Sequence, residues 1–164
     1  MSSTHTITDQ DLTHLRRCVD LAREALDDGD EPFGSVLVDS RGTVRFEDRN
    51  RISGGDSTRH PEFAIARWAA ENLTPEERAS ATAYTSGEHC ALCSAAHALV
   101  GLGPIVYASS TEQLTTWRTE WGVDPGPLTP LPIHAVAPGV PTRGPAAELT
   151  EEIRALQARS SGVA

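Results

Sequence analysis

His60 and Glu62 stand two apart around Pro61, and Cys90 and Cys93 follow as Cys-x-x-Cys. Imidazole nitrogen and thiolate sulfur are the donors zinc takes in tetrahedral sites, and a catalytic zinc characteristically keeps three protein ligands and a fourth position for water. A carboxylate beside such a centre is suited to moving protons. The cysteine pair has two further readings, a redox dithiol or half of a four-ligand structural zinc site. No second Cys pair completes the structural version, and a redox pair leaves the His-x-Glu element without a purpose. With three cysteines in all, a disulfide framework is a poor fit, and Cys18 reads as a small buried apolar side chain in a helical pattern.

The elements around these residues decide whether they can meet. Thr8 with Asp11 three residues on makes a capping-type start, and Leu12, Leu15, Val19, Ala22 and Leu26 recur at helical spacing up to Gly29. Pro32-Phe33-Gly34 leads into a β-hairpin over residues 35–46 with its turn at 39–42. The polar segment 48–59 empties into an apolar helix beginning at His60-Pro61-Glu62, where the proline suits the first helical turn and leaves His60 at the cap. Thr74-Pro75-Glu76-Glu77 is a short capped helical turn, residues 81–85 a strand, and residues 90–102 a helix that starts at the cysteine pair. One imidazole and two thiols therefore sit at the starts of two consecutive helices, whose partial positive charge favours the thiolate forms. The pattern continues with a strand at 105–108, a helix at 110–121, a Pro/Gly-rich loop at 122–132 and a strand at 133–137. It closes with a helix at 145–159 that has Pro145 at its first position. Strands alternating with helices after an opening hairpin predict an α/β sandwich with parallel pairing in its later part.

Composition narrows the chemistry. A chain of 164 residues, 38% hydrophobic, is expected to form a single domain with one proper core. No stretch approaches a membrane span, and the opening MSSTHTITDQDL has neither a basic start nor an apolar run, so the expected location is cytoplasmic. The net charge of −9, from 23 acidic and 14 basic residues, opposes a phosphate-backbone partner, and no nucleic acid is expected. Every basic residue is Arg, which excludes Schiff-base and P-loop lysine mechanisms.

The His-x-Glu element with a downstream Cys-x-x-Cys resembles the zinc deaminases, in which the metal activates water and the Glu carries protons. The likeness is to the branch of the cytidine deaminase superfamily that holds guanine deaminases, cytosine-type base deaminases and tRNA adenosine deaminases. Pro32-Phe33-Gly34 is similar to that branch's G-P-F-G segment, Arg49-Asn50-Arg51 to its substrate-loop Asn, and residues 56–62 to its D-P-T-x-H-A-E. Pro61 replaces a small residue of that pattern, and His89 replaces the Pro before the first Cys, changes that point to an atypical specificity.

The resemblance implies a three-layer α/β/α sandwich around a five-stranded mixed sheet, one zinc-dependent deaminase domain over residues 1–164, and a homodimer. It implies His60, Cys90 and Cys93 as Zn²⁺ ligands, Glu62 as the catalytic acid/base, and Asn50 as a partner of the ring, its amide offering both donor and acceptor. The implied reaction replaces an exocyclic amine by a carbonyl and releases ammonia. The expected substrate is a free base or related heterocycle of guanine, cytosine, isoguanine or s-triazine type, such as 5-azacytosine or ammeline. The competing readings are a nucleoside or tRNA adenosine deaminase, and a silent zinc domain, which an intact Glu62 opposes.

Neighbouring residues extend the candidate set. Glu88 is placed to bind a substrate amino group, with a plain strand-end carboxylate as the alternative, and His89 and Phe33 are candidates to line the pocket. His97, four residues after Cys93, and Trp68 read as core. His5, His14 and His134 read as surface or packing residues, and Trp117, Glu120, Trp121 and Asp124 receive no role.

Overall fold

The computed structural model describes residues 6–163; His5 lies outside them. Helix α1 (Asp9–Asp27) opens on a complete capping box, Thr8 Oγ1 accepting from the Asp11 amide and the Asp11 carboxylate accepting from the Thr8 amide, both at 3.0 Å. Strands β1 (Gly34–Val38) and β2 (Val44–Arg49) form the expected hairpin. Helices α2 (Pro61–Asn72) and α3 (Pro75–Ser80) lead to β3 (Thr82–Gly87), then α4 (Ala91–Leu99), β4 (Ile105–Ser109) and α5 (Thr111–Glu120). A four-residue helix α6 (Ile133–Val136), a two-residue strand β5 (Thr142–Arg143) and α7 (Thr150–Ser160) complete the order.

The sheet runs β2-β1-β3-β4-β5, antiparallel across β2, β1 and β3 and parallel across β3, β4 and β5. The side-chain alternation of its strands divides the interior in two. Val36, Val38, Tyr84, Val106 and Ala108 face one way, against Leu15, Val19 and Ala22 of α1, Trp117 of α5 and Ile153 and Leu156 of α7. Leu37, Ala83 and Ile105 face the other way, against Ile65, Ala66 and Ala69 of α2, and Ile133 of α6. The architecture is the three-layer α/β/α sandwich with a five-stranded mixed sheet. At Gly34 a Cβ would collide with the Cys18 carbonyl and the Leu21 Cβ, so the close seat of α1 on β1 requires glycine there.

Two expected elements differ. Residues 133–137 form a short helix rather than a strand: Pro132 takes the cap position, and only Ile133 and Ala137 reach the core. A five-residue run with four apolar members carries too little periodicity to separate the two states. The fifth strand is instead Thr142–Arg143, paired with Ile105 and Val106. The last helix begins at Thr150 after a 3₁₀ turn at Ala147–Leu149, and Pro145 lies before both, following Gly144 in the sole cis peptide among the described residues. No helix among the described residues is long and apolar enough to cross a membrane.

Candidate active site

His60 is the N-cap of α2 and Cys90 the N-cap of α4, each with extended backbone geometry, while Cys93 sits in the first turn of α4. Pro61 at the first helical position fixes where α2 begins, and the loop before it is pinned by the His60 amide on Thr58 O (2.7 Å) and the Arg51 amide on Arg59 O (3.0 Å). Strands β2 and β3 are both antiparallel to β1 and so run in the same direction, which brings the chain to the starts of α2 and α4 at the same end of the sheet.

The three donors form a near-equilateral triangle. Cys90 Sγ, Cys93 Sγ and His60 Nδ1 are each 3.5 Å from the other two. Tetrahedral zinc, with bonds of about 2.3 Å to sulfur and about 2.0 Å to nitrogen, sets sulfurs about 3.8 Å apart and sulfur and nitrogen about 3.5 Å apart. The donor set therefore fits the ion and leaves one coordination position free. Among the described residues no other trio of such donors converges.

The three donors are coupled to one another through their mutual contacts. A hydrogen bond from Cys93, opposed by burial and aided by one from His60, holds the Cys90 thiol at a pKa of about 4. The same Cys90–Cys93 bond, then burial, pushes Cys93 up, and the bond to Cys90 raises His60. The trio thus shares protons that a bound metal displaces.

Glu62 lies in the first turn of α2 and is buried. Its Oε1 accepts from Thr85 Oγ1 at 2.9 Å, and its Oε2 lies 3.9 Å from Cys93 Sγ. Burial raises its carboxyl above the usual range, against the hydrogen bonds that lower it. Asn50, 1% exposed, follows β2 directly. Its amide N–H donates to Phe33 O at 3.0 Å, its carbonyl accepts from Arg49, and its side-chain Oδ1 accepts from the Ile52 amide at 3.1 Å. Oδ1 thus already accepts one bond from its own loop and keeps a second lone pair, beside the Nδ2 donors.

Residues 8–109 match the family described as the cytidine and deoxycytidylate deaminase zinc-binding region. The chain belongs to this family. It is 34% identical over 114 residues to a probable cytosine deaminase of Schizosaccharomyces pombe, spanning 70% of this chain and 68% of that protein. It is 35% identical over 89 residues to a tRNA-specific adenosine deaminase of Agrobacterium fabrum, spanning 54% of this chain and 58% of that protein. The crystal structure of guanine deaminase from Bacillus subtilis superposes with a TM-score of 0.56 at 29% identity, covering 64% of this chain and 68% of that one.

The protein is accordingly a zinc-dependent deaminase acting on a cyclic amidine in a nucleobase-like heterocycle, with His60, Cys90 and Cys93 as its zinc-binding triad. Around that triad lie the other expected site residues. Glu88 Oε2 accepts from the Thr111 amide at the start of α5 (2.7 Å), and its Oε1 lies 3.5 Å from the Ile133 amide of α6. His89 is 1% exposed and meets His97 edge-on, ring centroids 5.4 Å apart. Burial, then His97, drives its pKa well below the ordinary value, and its Nδ1 is buried without a partner. His97 is core, its Nε2 2.7 Å from Gly103 O. Phe33 packs against Gly87, where a Cβ would press on the ring at 3.0 Å, so glycine there admits the aromatic to the end of β3. Trp68 is half-buried and stacks on Phe46, His14 rests on Tyr84, and His134 is exposed.

Sequence reasoning missed Thr85 and Ser35, both fully buried. The available signal was alternation: each occupies the strand face whose next members, Ala83 and Leu37, are apolar core.

Proposed function

We propose that this deaminase acts on a small free base, with Glu62 moving the protons and Asn50 gripping the ring. The observation that carries the reading is the buried Glu62 carboxylate, held by Thr85 on one oxygen while the other turns toward the triad. When bound, the zinc supplies Lewis-acid activation of a water, lowering its pKa toward about 7. Glu62 accepts a proton from the attacking water and delivers it to a ring nitrogen, then takes the second proton from the hydroxyl now on the ring carbon and passes it to the departing amine. Water and the amino heterocycle thereby become the carbonyl heterocycle and ammonia. Burial raises this carboxyl, which eases holding a proton between the two transfers.

Asn50 Nδ2 offers a donor, which selects a ring carrying an acceptor next to the reacting edge, as the carbonyl of cytosine, guanine or isoguanine does. Phe33 supplies an aromatic wall beside Asn50, tied to it by the bond from the Asn50 amide. His89 adds a neutral buried imidazole next to Cys90. The net charge of −9 supports a free base over tRNA. A homodimer is supported by α4, which has no charged side chain and leaves Leu99 87% exposed, and light scattering reads it directly.

The test is ammonia release across a panel of guanine, cytosine, isoguanine, 5-azacytosine, ammeline, adenosine and tRNA, with wild type and Glu62→Gln. Wild type should turn over at least one free base, and Glu62→Gln should keep its zinc and fold while losing nearly all turnover, because an amide cannot shuttle protons. Activity of Glu62→Gln within tenfold of wild type refutes the assignment. Turnover of tRNA with no free base promotes the tRNA reading.

A further inference from the structure

On the sheet face that looks toward α2, Leu37 and Ala83 are apolar, and polarity begins one step along at the cross-strand pair Ser35 and Thr85. Both are completely buried. A buried hydroxyl is costly unless bonded, and valine would fill the Thr85 position with the same shape. The two hydroxyls must therefore be retained for what they bond.

Ser35 Oγ donates to Thr85 Oγ1 at 2.9 Å. That leaves Thr85 its own single proton, with Gly87 O at 2.8 Å and Glu62 Oε1 at 2.9 Å in reach, and the ionised carboxylate is the stronger acceptor of the two. Glu62 belongs to α2 and Thr85 to β3, so this bond ties the carboxylate to the sheet independently of the helix that carries it. With Oε1 held there, Oε2 is the oxygen directed at the triad.

We propose that Thr85 is a positioning residue for the deamination: its hydroxyl, oriented by Ser35, aims the Glu62 carboxylate at the reacting water. This rests on the assignment of Glu62 as the proton carrier. A carboxylate on a flexible side chain otherwise samples several rotamers, and misplacement by about 1 Å can cost roughly a hundredfold in rate. The pair touches neither the ring-binding Asn50 nor a zinc ligand, so its effect should fall on kcat.

Thr85→Val removes the hydroxyl and keeps the volume, and Thr85→Ser restores it. Kinetics are measured with the free base that wild type turns over fastest, alongside zinc content and melting temperature. Thr85→Val should lower kcat about ten- to a hundredfold while KM stays within about threefold and zinc stays at wild-type content. Thr85→Ser should recover kcat to within about fivefold of wild type. Ser35→Ala, which leaves Thr85 in place but unoriented, should give a smaller kcat loss in the same sense, and it carries the test should Thr85→Val fold poorly. Unchanged kcat in Thr85→Val, or equal losses in Val and Ser, overturns the positioning role while Glu62→Gln remains inactive. An active Glu62→Gln overturns the proton-carrier assignment beneath it.

Discussion

Replacing Asn50 by Asp separates its bond to the loop from the grip on the ring proposed for it. Oδ1 of Asn50 accepts from the Ile52 amide at 3.1 Å, a bond that shapes the 3₁₀ turn at Ile52–Gly54, and a carboxylate can accept the same bond. What changes is the other terminus, where an NH₂ donor becomes an oxygen acceptor. A substrate carbonyl that met a donor then meets a negative oxygen. Losing a buried hydrogen bond costs about 1–3 kcal/mol, and setting two acceptors against each other costs a similar amount again, roughly 3–4 kcal/mol in all, or about 10²–10³ in kcat/KM. Asn50 is 1% exposed, so little solvent is at hand to relieve the clash. Bases with an amino group at that edge, such as 2,6-diaminopurine or melamine, should lose less and can gain relative to the keto bases. Steady-state ammonia release with both sets, beside Asn50→Ala as a donor-free control expected to lose about ten- to a hundredfold, reads the exchange. An equal loss on keto and amino bases would show that only the loop had been damaged, and retention of keto turnover within threefold would remove Asn50 from the ring altogether.

Cys90→Ser should strip the zinc, leaving well under one ion per chain by elemental analysis, and lower the melting temperature below that of the zinc-loaded protein. Stability should also fall in acid. Burial acts to raise the Asp11 carboxyl, but bonds from the Thr8 amide, Arg143 (2.7 Å) and Tyr84 (3.0 Å) outweigh it and hold its pKa below the ordinary value. Its contribution is therefore complete above the unfolded pKa of about 4 and is lost as pH falls through the folded value. Urea midpoints between pH 6 and pH 3 (roughly the range spanning that loss) should drop less steeply for Asp11→Asn than for wild type, and parallel slopes would refute the assignment.

The parts of the fold legible in the sequence were those written locally. The Thr8 and Asp11 capping box, the turn of the hairpin and the proline after His60 each act within a few residues, and each appears where expected. The zinc triad was legible because its residue types are rare and its donors lie at element starts. What escaped depends on distant partners. Strand β5 is two residues long and exists through its pairing with Ile105 and Val106, and the run at 133–137 has its two buried anchors, Ile133 and Ala137, in the α2 and α4 layer. The partners of single polar atoms were equally hidden: Glu88 meets amides of α5 and α6, and Asn50 Oδ1 the Ile52 amide of its own loop. Tertiary packing assigns such atoms, and no local spacing records it.

The helix starts show how the protein divides these tasks. Helices α1, α3 and α5 each begin with a reciprocal box, Thr8 with Asp11, Thr74 with Glu77, and Ser110 with Gln113. The two helices at the site begin with His60 and Cys90, and neither makes a side-chain capping bond. A good cap contributes about 0.5–2 kcal/mol, so stability of that order is forgone at each of the two starts. Serine is a strong N-cap, and Cys90→Ser therefore supplies α4 with the bond it lacks even as it removes a zinc ligand. The stability it loses relative to the loaded protein must then come from the metal, and relative to chelator-stripped wild type the same substitution should be neutral or stabilising. Should Cys90→Ser instead melt below stripped wild type, position 90 would be stabilising the fold through its own packing, and the uncapped helix starts would have an explanation other than metal binding.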